Sequence, residues 1–549
     1  MSTEIDCEYD LNFGDFTIVR ADERVFGPSG PIKLGRKAYR LLLLLAEQGG
    51  QLLTKDELFA TVWDGTIVTE SALTSAIKEL RRALDDPSVN PHYIESVYGR
   101  GYRLLAPVER RAAGQSRRAQ SPADADDHRL GDAPLLYLPP FDDKAIVETQ
   151  PFLASVLHEE LLIALSRFRE IRLVSEKDGA DRYGTRDYRL TMRLLAHDGA
   201  IQAFVRVARL ATGAIVWAEQ MMLPPGNPLD TVDEVARRVS GAVMPRLRDD
   251  MLRNVPQRPA DAYDRYFASR RRMRDLDMLE EARAVAADWE RLIADHPGLL
   301  QAYPPLIRLY NTDYGLTGPG ASGATERRRA YELAHRAIAI DPTDSHLHTV
   351  KAWCHLWTGE AGLARGHFDE ALRLNPYHHE RLVEIATGLM FLDELDRAAE
   401  LLGRCRSLAI FANDAPQEEE GLLLLLQQDY AKAAEALELA RWVHPDDRAK
   451  ARPGLLTGLY ALLAAAGHGA DDLAARARDW RGRIAARWAG PEPLDDEAIR
   501  QWILFHNPFQ REERRQWLAS LADRALAAAA AGEPSRPAQA SPERPSVSG

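Results

Sequence analysis

Residues 69–104 read TESALTSAIKELRRALDDPSVNPHYIESVYGRGYRL, and this stretch decides how the amino-terminal part of the chain is interpreted. Four apolar side chains recur at helical spacing and predict a buried stripe on one helix face: Leu73, Ile77, Leu80 and Leu84. The opposite face carries hydroxyl groups and cations, with Arg81 at its flank: Ser71, Thr74, Ser75, Lys78 and Arg82. Asp85-Asp86-Pro87 ends the predicted helix.

A glycine-rich hairpin is expected after this helix. Tyr93–Val97 and Tyr102–Leu105 read as strands that flank the tip Tyr98-Gly99-Arg100-Gly101. A helix with short hydroxyl side chains near its start and cations further along suits the major groove of DNA. An arginine at a hairpin tip can enter the neighbouring minor groove. The alternative is a solvated helix face, and because residues 1–107 carry more acidic than basic side chains, periodicity and charge leave both interpretations open.

The preceding residues predict the rest of a small domain. Residues 12–34 read as a few short strands, and Arg36–Gln48 reads as a helix stopped by two glycines. Thr54 and Glu57 form a capping-box pattern, which opens a helix that runs to about Trp63.

Three segments carry a family resemblance: KLGRKAYRLLLLLAEQGGQLLTKDELFATVW at 33–63, AIKELRRALDDP at 76–87 and YIESVYGRGYRL at 93–104. Together they resemble the winged-helix DNA-binding domain of OmpR/PhoB-type response regulators. The resemblance implies that residues 70–84 form a recognition helix and that residues 96–102 form the wing.

The polar helix face and the resemblance together give the predicted DNA-contacting residues: Trp63, Ser71, Thr74, Ser75, Lys78, Glu79, Arg81, Arg82, Ser96, Tyr98 and Arg100. The resemblance also implies that Trp63 offers its indole N–H to a phosphate. It further implies that a loop contacts RNA polymerase: Asp64, Gly65, Thr66, Ile67 and Val68. Glu79 stands where relatives often have a basic residue, and Tyr98 where they often have arginine, so a DNA sequence preference cannot be carried over.

Composition shifts divide the chain into the predicted units: 10–107 a winged-helix domain, 108–133 a flexible linker, 134–250 a small α/β domain, 255–531 helical repeats and 532–549 a disordered tail. The expected fold is multidomain, with an α+β winged helix-turn-helix followed by α/β and all-α parts. About ten residues precede the first domain, so no receiver domain is expected there.

The α/β unit is predicted from alternating strand and helix patterns. Strand-like runs occur at 135–138, 171–174, 188–195, 201–210 and 215–220. Two helices are expected, one at 152–168 and one at about 229–248. This segment resembles the TolB-like amino-terminal domain.

The region after 255 shows a repeat of 34 residues between Pro342 and Pro376, each of which follows a helical run. Ala364, Phe368 and Ala371 precede Pro376 in a small-aromatic-small pattern, which resembles the tetratricopeptide repeat. The same pattern recurs before Pro445. A generic helical bundle is the alternative. The order of the three domain types resembles that of HilA-like regulators.

Composition narrows the function classes further. Three cysteines and a net charge of −12 suggest neither a disulfide framework nor a polyanion-coating protein, and the apolar runs are too short for a membrane helix. GPGASG at 318–323 lacks a preceding strand, and the histidines at 346, 348, 355, 378 and 379 lack a completing ligand set, so they are expected on repeat surfaces. His158-Glu159-Glu160 is expected to face solvent. No cofactor, metal site or enzyme activity is predicted.

The resulting hypothesis is a one-component, sequence-specific transcriptional regulator, expected to be an activator in the bacterial cytosol. Its expected partners are double-stranded promoter DNA, RNA polymerase, and a protein or peptide on the repeats. The alternative is a repeat-based protein-interaction adaptor that the winged helix tethers to DNA.

Overall fold

The computed structural model describes residues 9–14, 16–20, 24–27, 30–32, 34–63, 70–84, 86–87, 91–97, 99–112, 133–141, 152–175, 184–197, 200–223, 228–259, 261–274, 276, 278–408, 416–443 and 453–531. The predicted polymerase loop, Tyr98, Pro445 and the predicted tail therefore lie outside the described residues.

The amino-terminal domain is a winged helix. Its strands are β1 (Tyr9–Phe13), β2 (Phe16–Val19), β3 (Arg24–Gly27), β4 (Gly30–Ile32), β5 (Leu53–Thr54), β6 (Ile94–Val97), β7 (Gly101–Leu104) and β8 (Val108–Ala112). Its helices are α1 (Arg36–Glu47), α2 (Lys55–Val62) and α3 (Glu70–Ala83). One antiparallel sheet has the order β4-β3-β2-β1-β8, and a second has the order β5-β7-β6.

Strand β8 corrects the predicted start of the linker. Val108–Ala112 pairs antiparallel with β1 along its whole length, from Phe13 opposite Val108 to Tyr9 opposite Ala112. The sequence hides this strand because it contributes backbone hydrogen bonds at a sheet edge, which need no apolar side chains. The predicted linker therefore begins no earlier than 113, and residues 113–132 lie outside the described part of the chain.

The middle of the chain forms a mixed sheet. Its elements are β9 (Leu135–Tyr137), α4 (Leu153–Ser166), β10 (Arg172–Val174), β11 (Tyr188–His197), β12 (Ala200–Arg209), β13 (Ile215–Leu223) and α5 (Pro228–Arg253). The strand order is β10-β9-β11-β12-β13, with β9 parallel to both of its neighbours and β11–β13 antiparallel. Helix α5 continues through Pro245 and past the predicted domain end at 250.

The remaining described residues are helical. The α-helices are α6 (Ala262–Arg274), α7 (Leu279–Asp295), α8 (Tyr303–Arg308), α9 (Tyr314–Thr317), α10 (Ala324–Ile340), α11 (Ser345–Thr358), α12 (Ala361–Leu374), α13 (His379–Phe391), α14 (Leu395–Leu408), α15 (Gln417–Leu426), α16 (Tyr430–Val443), α17 (Pro453–His468), α18 (Leu473–Ala485), α19 (Asp496–His506) and α20 (Glu512–Ala531). A 3₁₀ turn (Leu300–Ala302) precedes α8, and a π-helix (Leu309–Asp313) joins α8 to α9. Helix α13 begins 34 residues after α11, as the repeat predicts.

Small residues bring the repeat helices together. A Cβ on Gly388 would lie 2.2 Å from the Phe368 ring, and a Cβ on Gly421 would lie 2.5 Å from Leu437. These positions therefore require glycine for close approach of the helices. The small-aromatic-small pattern before Pro376 is buried, which confirms the tetratricopeptide-like packing.

The three parts of the chain contact one another. One continuous core joins the mixed sheet to the first repeat helices, and Arg248 on α5 reaches Glu380 on α13 at 2.6 Å. Leu363 of α12 packs into the core of the winged helix, and Glu360 lies 3.9 Å from His92 of that domain. Across the described residues, no helix is long and apolar enough to cross a lipid bilayer.

Candidate nucleic-acid interface

Helix α3 presents the polar face that its sequence predicts. Its core stripe is buried as expected: Leu73, Ile77, Leu80 and Leu84. Four predicted DNA-contacting residues lie on the other side, where Thr74, Ser75 and Lys78 are exposed and Arg82 is exposed one turn further along. Ser71 lies in the first turn, and the Thr74 hydroxyl donates back to the Glu70 carbonyl at 3.0 Å.

Two residues predicted to bind DNA are instead bonded within the domain. The Arg81 guanidinium donates to the Ile94 carbonyl at 2.8 Å and to the Ser96 hydroxyl at 3.2 Å. Glu79 accepts a hydrogen bond from the Gly35 backbone N–H at 2.7 Å, at the start of α1. These bonds attach α3 to the wing strand β6 and to α1. They support a positioning role for both residues, and direct DNA binding by either of them stays a prediction.

The wing is a tight hairpin held against α2. Gly99 has a φ of +70°, which favours glycine, and the Arg100 side chain is exposed beside it. The Arg100 carbonyl accepts from the Lys55 N–H at 3.2 Å, so the tip is fixed to the first residue of α2. A Cβ on Gly101 would lie 1.8 Å from the Leu53 carbonyl oxygen, so only glycine allows β7 to pair with β5 here. Ser96 is exposed on β6.

Asp86 has a role that its sequence context does not reveal, since it was expected only to end α3. Its buried carboxylate accepts hydrogen bonds from three backbone N–H groups, those of His92 (2.7 Å), Tyr93 (3.1 Å) and Ile94 (2.8 Å). Asp86 thus sets the path of the chain from the recognition helix into the wing. A single aspartate after a helix is too common for its spacing to indicate this.

Trp63 follows helix α2 and is only 6% exposed. It packs on Phe59, and Lys37 lies 5.8 Å from its ring while donating to the Val62 carbonyl at 2.8 Å. No described residue accepts a hydrogen bond from its indole N–H. That arrangement is compatible with the predicted phosphate contact, which stays a prediction.

The capping box at the start of α2 is confirmed. The Glu57 N–H donates to the Thr54 hydroxyl at 3.3 Å, and the Thr54 backbone N–H donates to the Glu57 carboxylate at 2.8 Å. These bonds lower the pKa of Glu57. Lys55 also pairs with Glu70 at 2.8 Å, so the starts of α2 and α3 are joined.

Several histidines do not lie where the sequence placed them. His158 was expected at the surface, yet it is buried, with its Nε2 3.1 Å from the Leu138 carbonyl. His348, His355 and His378 are likewise buried, because the first two pack between repeat helices and His378 packs against Phe168 of the mixed-sheet part. No group of three or more histidine, cysteine or acidic side chains suited to a metal occurs among the described residues.

The part of the chain that forms the interface is similar to known proteins. Residues 29–104 match the family described as "Transcriptional regulatory protein, C terminal". The cholera toxin homolog transcriptional activator of Vibrio parahaemolyticus is 42% identical over 81 residues, or 14% of this chain and 28% of that protein. The transcriptional regulator HilA of Salmonella typhimurium is 35% identical over 96 residues, or 18% of this chain and 17% of that protein.

The solved DNA-binding domain of Escherichia coli CadC is 31% identical and aligns with 19% of this chain and 96% of its own, with a TM-score of 0.17. The chain matches less than a third of the length of either curated relative. Residues 29–104 therefore match a transcriptional regulatory family model and are similar to parts of two transcriptional regulators, one of them named an activator.

Proposed function

We propose that this protein is a sequence-specific, DNA-binding regulator of transcription, and that it acts as an activator. The observation that carries the proposal is the face of α3, where hydroxyls and cations are exposed opposite a fully buried stripe and beside the wing. The activator assignment is supported by the similarity to the Vibrio activator.

The order of side chains on this face suits the major groove. Thr74 and Ser75 are short and lie nearer the start of α3, where close approach to base edges needs small residues. Lys78 and Arg82 follow one and two turns later, where long cations reach phosphates or guanine. Arg100 is exposed at the wing tip, which supports a contact with the adjacent minor groove.

The repeat region does not cover this face. Leu363 and Glu360 contact the winged helix, yet the four polar residues remain exposed in the whole described chain: Thr74, Ser75, Lys78 and Arg82. DNA binding would therefore not require the two parts to separate. We further propose that the loop at 64–68 contacts RNA polymerase and that the repeats bind a protein or peptide partner. The proposed place of action is the bacterial cytosol.

Binding-site selection from random DNA with the full-length protein would supply a target, and fluorescence anisotropy would then measure affinity. Lys78→Ala with Arg82→Ala should weaken binding by about 1–3 kcal/mol for each of the two residues that binds guanine. For each of the two that binds a phosphate instead, the salt slope, which is the magnitude of the slope of log binding constant against log salt concentration, should fall by about 1.

The control for this experiment is Lys432→Ala with Arg511→Ala, which removes the same charge from two exposed cations of the repeat region. That double variant should bind the selected DNA as the parent protein does. Equal affinities and salt slopes for the two double variants would refute the interface.

A further inference from the structure

The helices of the repeat region line a partly open cavity of about 200 Å³. Its walls come from α8, the π-helix, α11, α13, α15, α17 and α19. Four aromatic side chains line it: Trp353, Trp357, Phe391 and Tyr460. An engineered cavity of about 150 Å³ holds benzene, so this one has room for a small organic molecule.

Two buried acceptor atoms belong to residues that line the cavity. Asn311, on the π-helix, is 3% exposed, and its Oδ1 has no hydrogen-bond partner among the described residues. His506 is 3% exposed, and its Nδ1 lies 3.0 Å from the Trp502 carbonyl, so Nδ1 carries the proton and donates. Its Nε2 has no hydrogen-bond partner in the described chain and packs against Gly315, where a Cβ would lie 1.7 Å from it. Burial lowers the pKa of His506 to about 3, which keeps the ring neutral.

Such unsatisfied buried atoms require an explanation, and π-helical turns within α-helices occur frequently at functional sites. Both features occur here on the same wall, because Asn311 belongs to the π-helix itself.

Three carboxylates also line the cavity, those of Glu384, Glu418 and Glu419. Glu384 is neutralised by Arg308 at 2.7 Å and by Arg381 at 2.6 Å. Glu418 and Glu419, in the first turn of α15, form no ion pair with a described lysine, arginine or histidine, and Glu418 is hydrogen-bonded to Thr457. The next residue, Glu420, pairs with Arg406 at 2.5 Å.

We propose that this cavity is a binding site for a small organic cation, with an ammonium or guanidinium group between Glu418, Glu419 and Asn311 and a short hydrocarbon part against the aromatic side chains. A cation is attracted both by carboxylates and by the faces of tryptophan and phenylalanine. One of its N–H groups would donate to Asn311 Oδ1, which a purely apolar ligand would leave unsatisfied.

Other ligand classes fit less well. An anion would meet Glu418 and Glu419, and the arginine on the described wall, Arg308, is already paired with Glu384. An inorganic cation needs converging oxygen or nitrogen ligands, and no such group of three acidic, histidine or cysteine side chains occurs among the described residues. The remaining ionisable groups on the described wall are Tyr460 and the neutral His506, and neither supplies positive charge.

The test uses probes that carry a three- or four-carbon chain and different head groups: butylammonium, butylguanidinium, butanol and butyrate. Isothermal titration calorimetry with the full-length protein should show saturable binding of the two cations, in about the millimolar range for molecules of this size. Butanol and butyrate should bind at least about tenfold more weakly. Equal affinity for butanol and butylammonium, or no saturable binding of either cation, would overturn the proposal.

Glu418→Gln with Glu419→Gln should lower cation affinity by at least about tenfold without unfolding the protein, because it keeps the side-chain shape and removes only the charge of two half-buried carboxylates. The thermal midpoint of the ligand-free variant should therefore be equal to or above that of the parent protein. Glu420→Gln is the matched control, since Glu420 is paired with Arg406 and does not line the cavity. A similar drop in affinity in both variants would mean that general surface charge, rather than the cavity, attracts the probes.

Discussion

Arg81 provides a sharp test of how the interface is built, because the structure gives it a different role from its neighbour Arg82. Arg81 bonds to the Ile94 carbonyl and the Ser96 hydroxyl, whereas Arg82 is exposed on the same helix. Hydrogen bonds from a charged donor contribute about 1.5–3 kcal/mol. Arg81→Ala should therefore lower the local stability of the wing strand β6 by that amount.

Hydrogen exchange of the full-length protein, read by mass spectrometry on peptides covering 91–104, measures this loosening locally. Exchange there should accelerate by roughly 10- to 150-fold in Arg81→Ala, which corresponds to a decrease in local stability of about 1.5–3 kcal/mol. Arg82→Ala is the matched control, and it should leave the exchange unchanged while reducing the salt slope of DNA binding by about 1. Unchanged exchange in Arg81→Ala together with a salt slope reduced as in Arg82→Ala would refute the positioning role and place Arg81 directly on the DNA.

Three further features can be tested: Asp86, which holds the wing backbone, the predicted polymerase loop, and the cavity. Asp86→Asn should destabilise the wing by about 1–3 kcal/mol, because the amide nitrogen cannot accept from the buried Ile94 N–H; unchanged exchange across 91–97 would contradict this. Alanine substitutions at 64–68 should leave promoter affinity intact and lower transcription in vitro, and an equal decrease in both would mean that the loop only supports the fold. Butylammonium affinity should rise with pH through about 8, because burial and the Glu419 charge raise the pKa of Glu418 to about 8 and only the ionised carboxylate attracts the cation; a flat profile from about pH 6 to 9 would contradict it.

The winged helix was predictable because its signals are local. The core stripe of α3, the capping box of Thr54 and the glycine tip of the hairpin each depend on neighbours within a few residues. The bonds of Glu79 and Arg81 were not predictable, since their partners, Gly35 and Ile94, lie in other elements. A polar residue on a helix flank gives the same sequence pattern whether it contacts DNA or another part of the domain. Strand β8 was missed for a related reason, because backbone pairing leaves no side-chain pattern.

The glutamates of QEEEG at 417–421 show most clearly where sequence reasoning stops. Three consecutive acidic residues at a helix start suggest a solvated turn that complements the helix dipole. The structure gives them different environments: Glu420 is paired with Arg406, while Glu418 and Glu419 line a cavity whose other walls come from helices as distant in the chain as α8 and α19. Burial raises the pKa of both cavity carboxyls, so their ionised forms are less stable here than in water. A bound cation would stabilise the ionised carboxylates. The acidic run at 418–420 indicates only a solvated helix start in the sequence, but its place in the cavity points to a ligand.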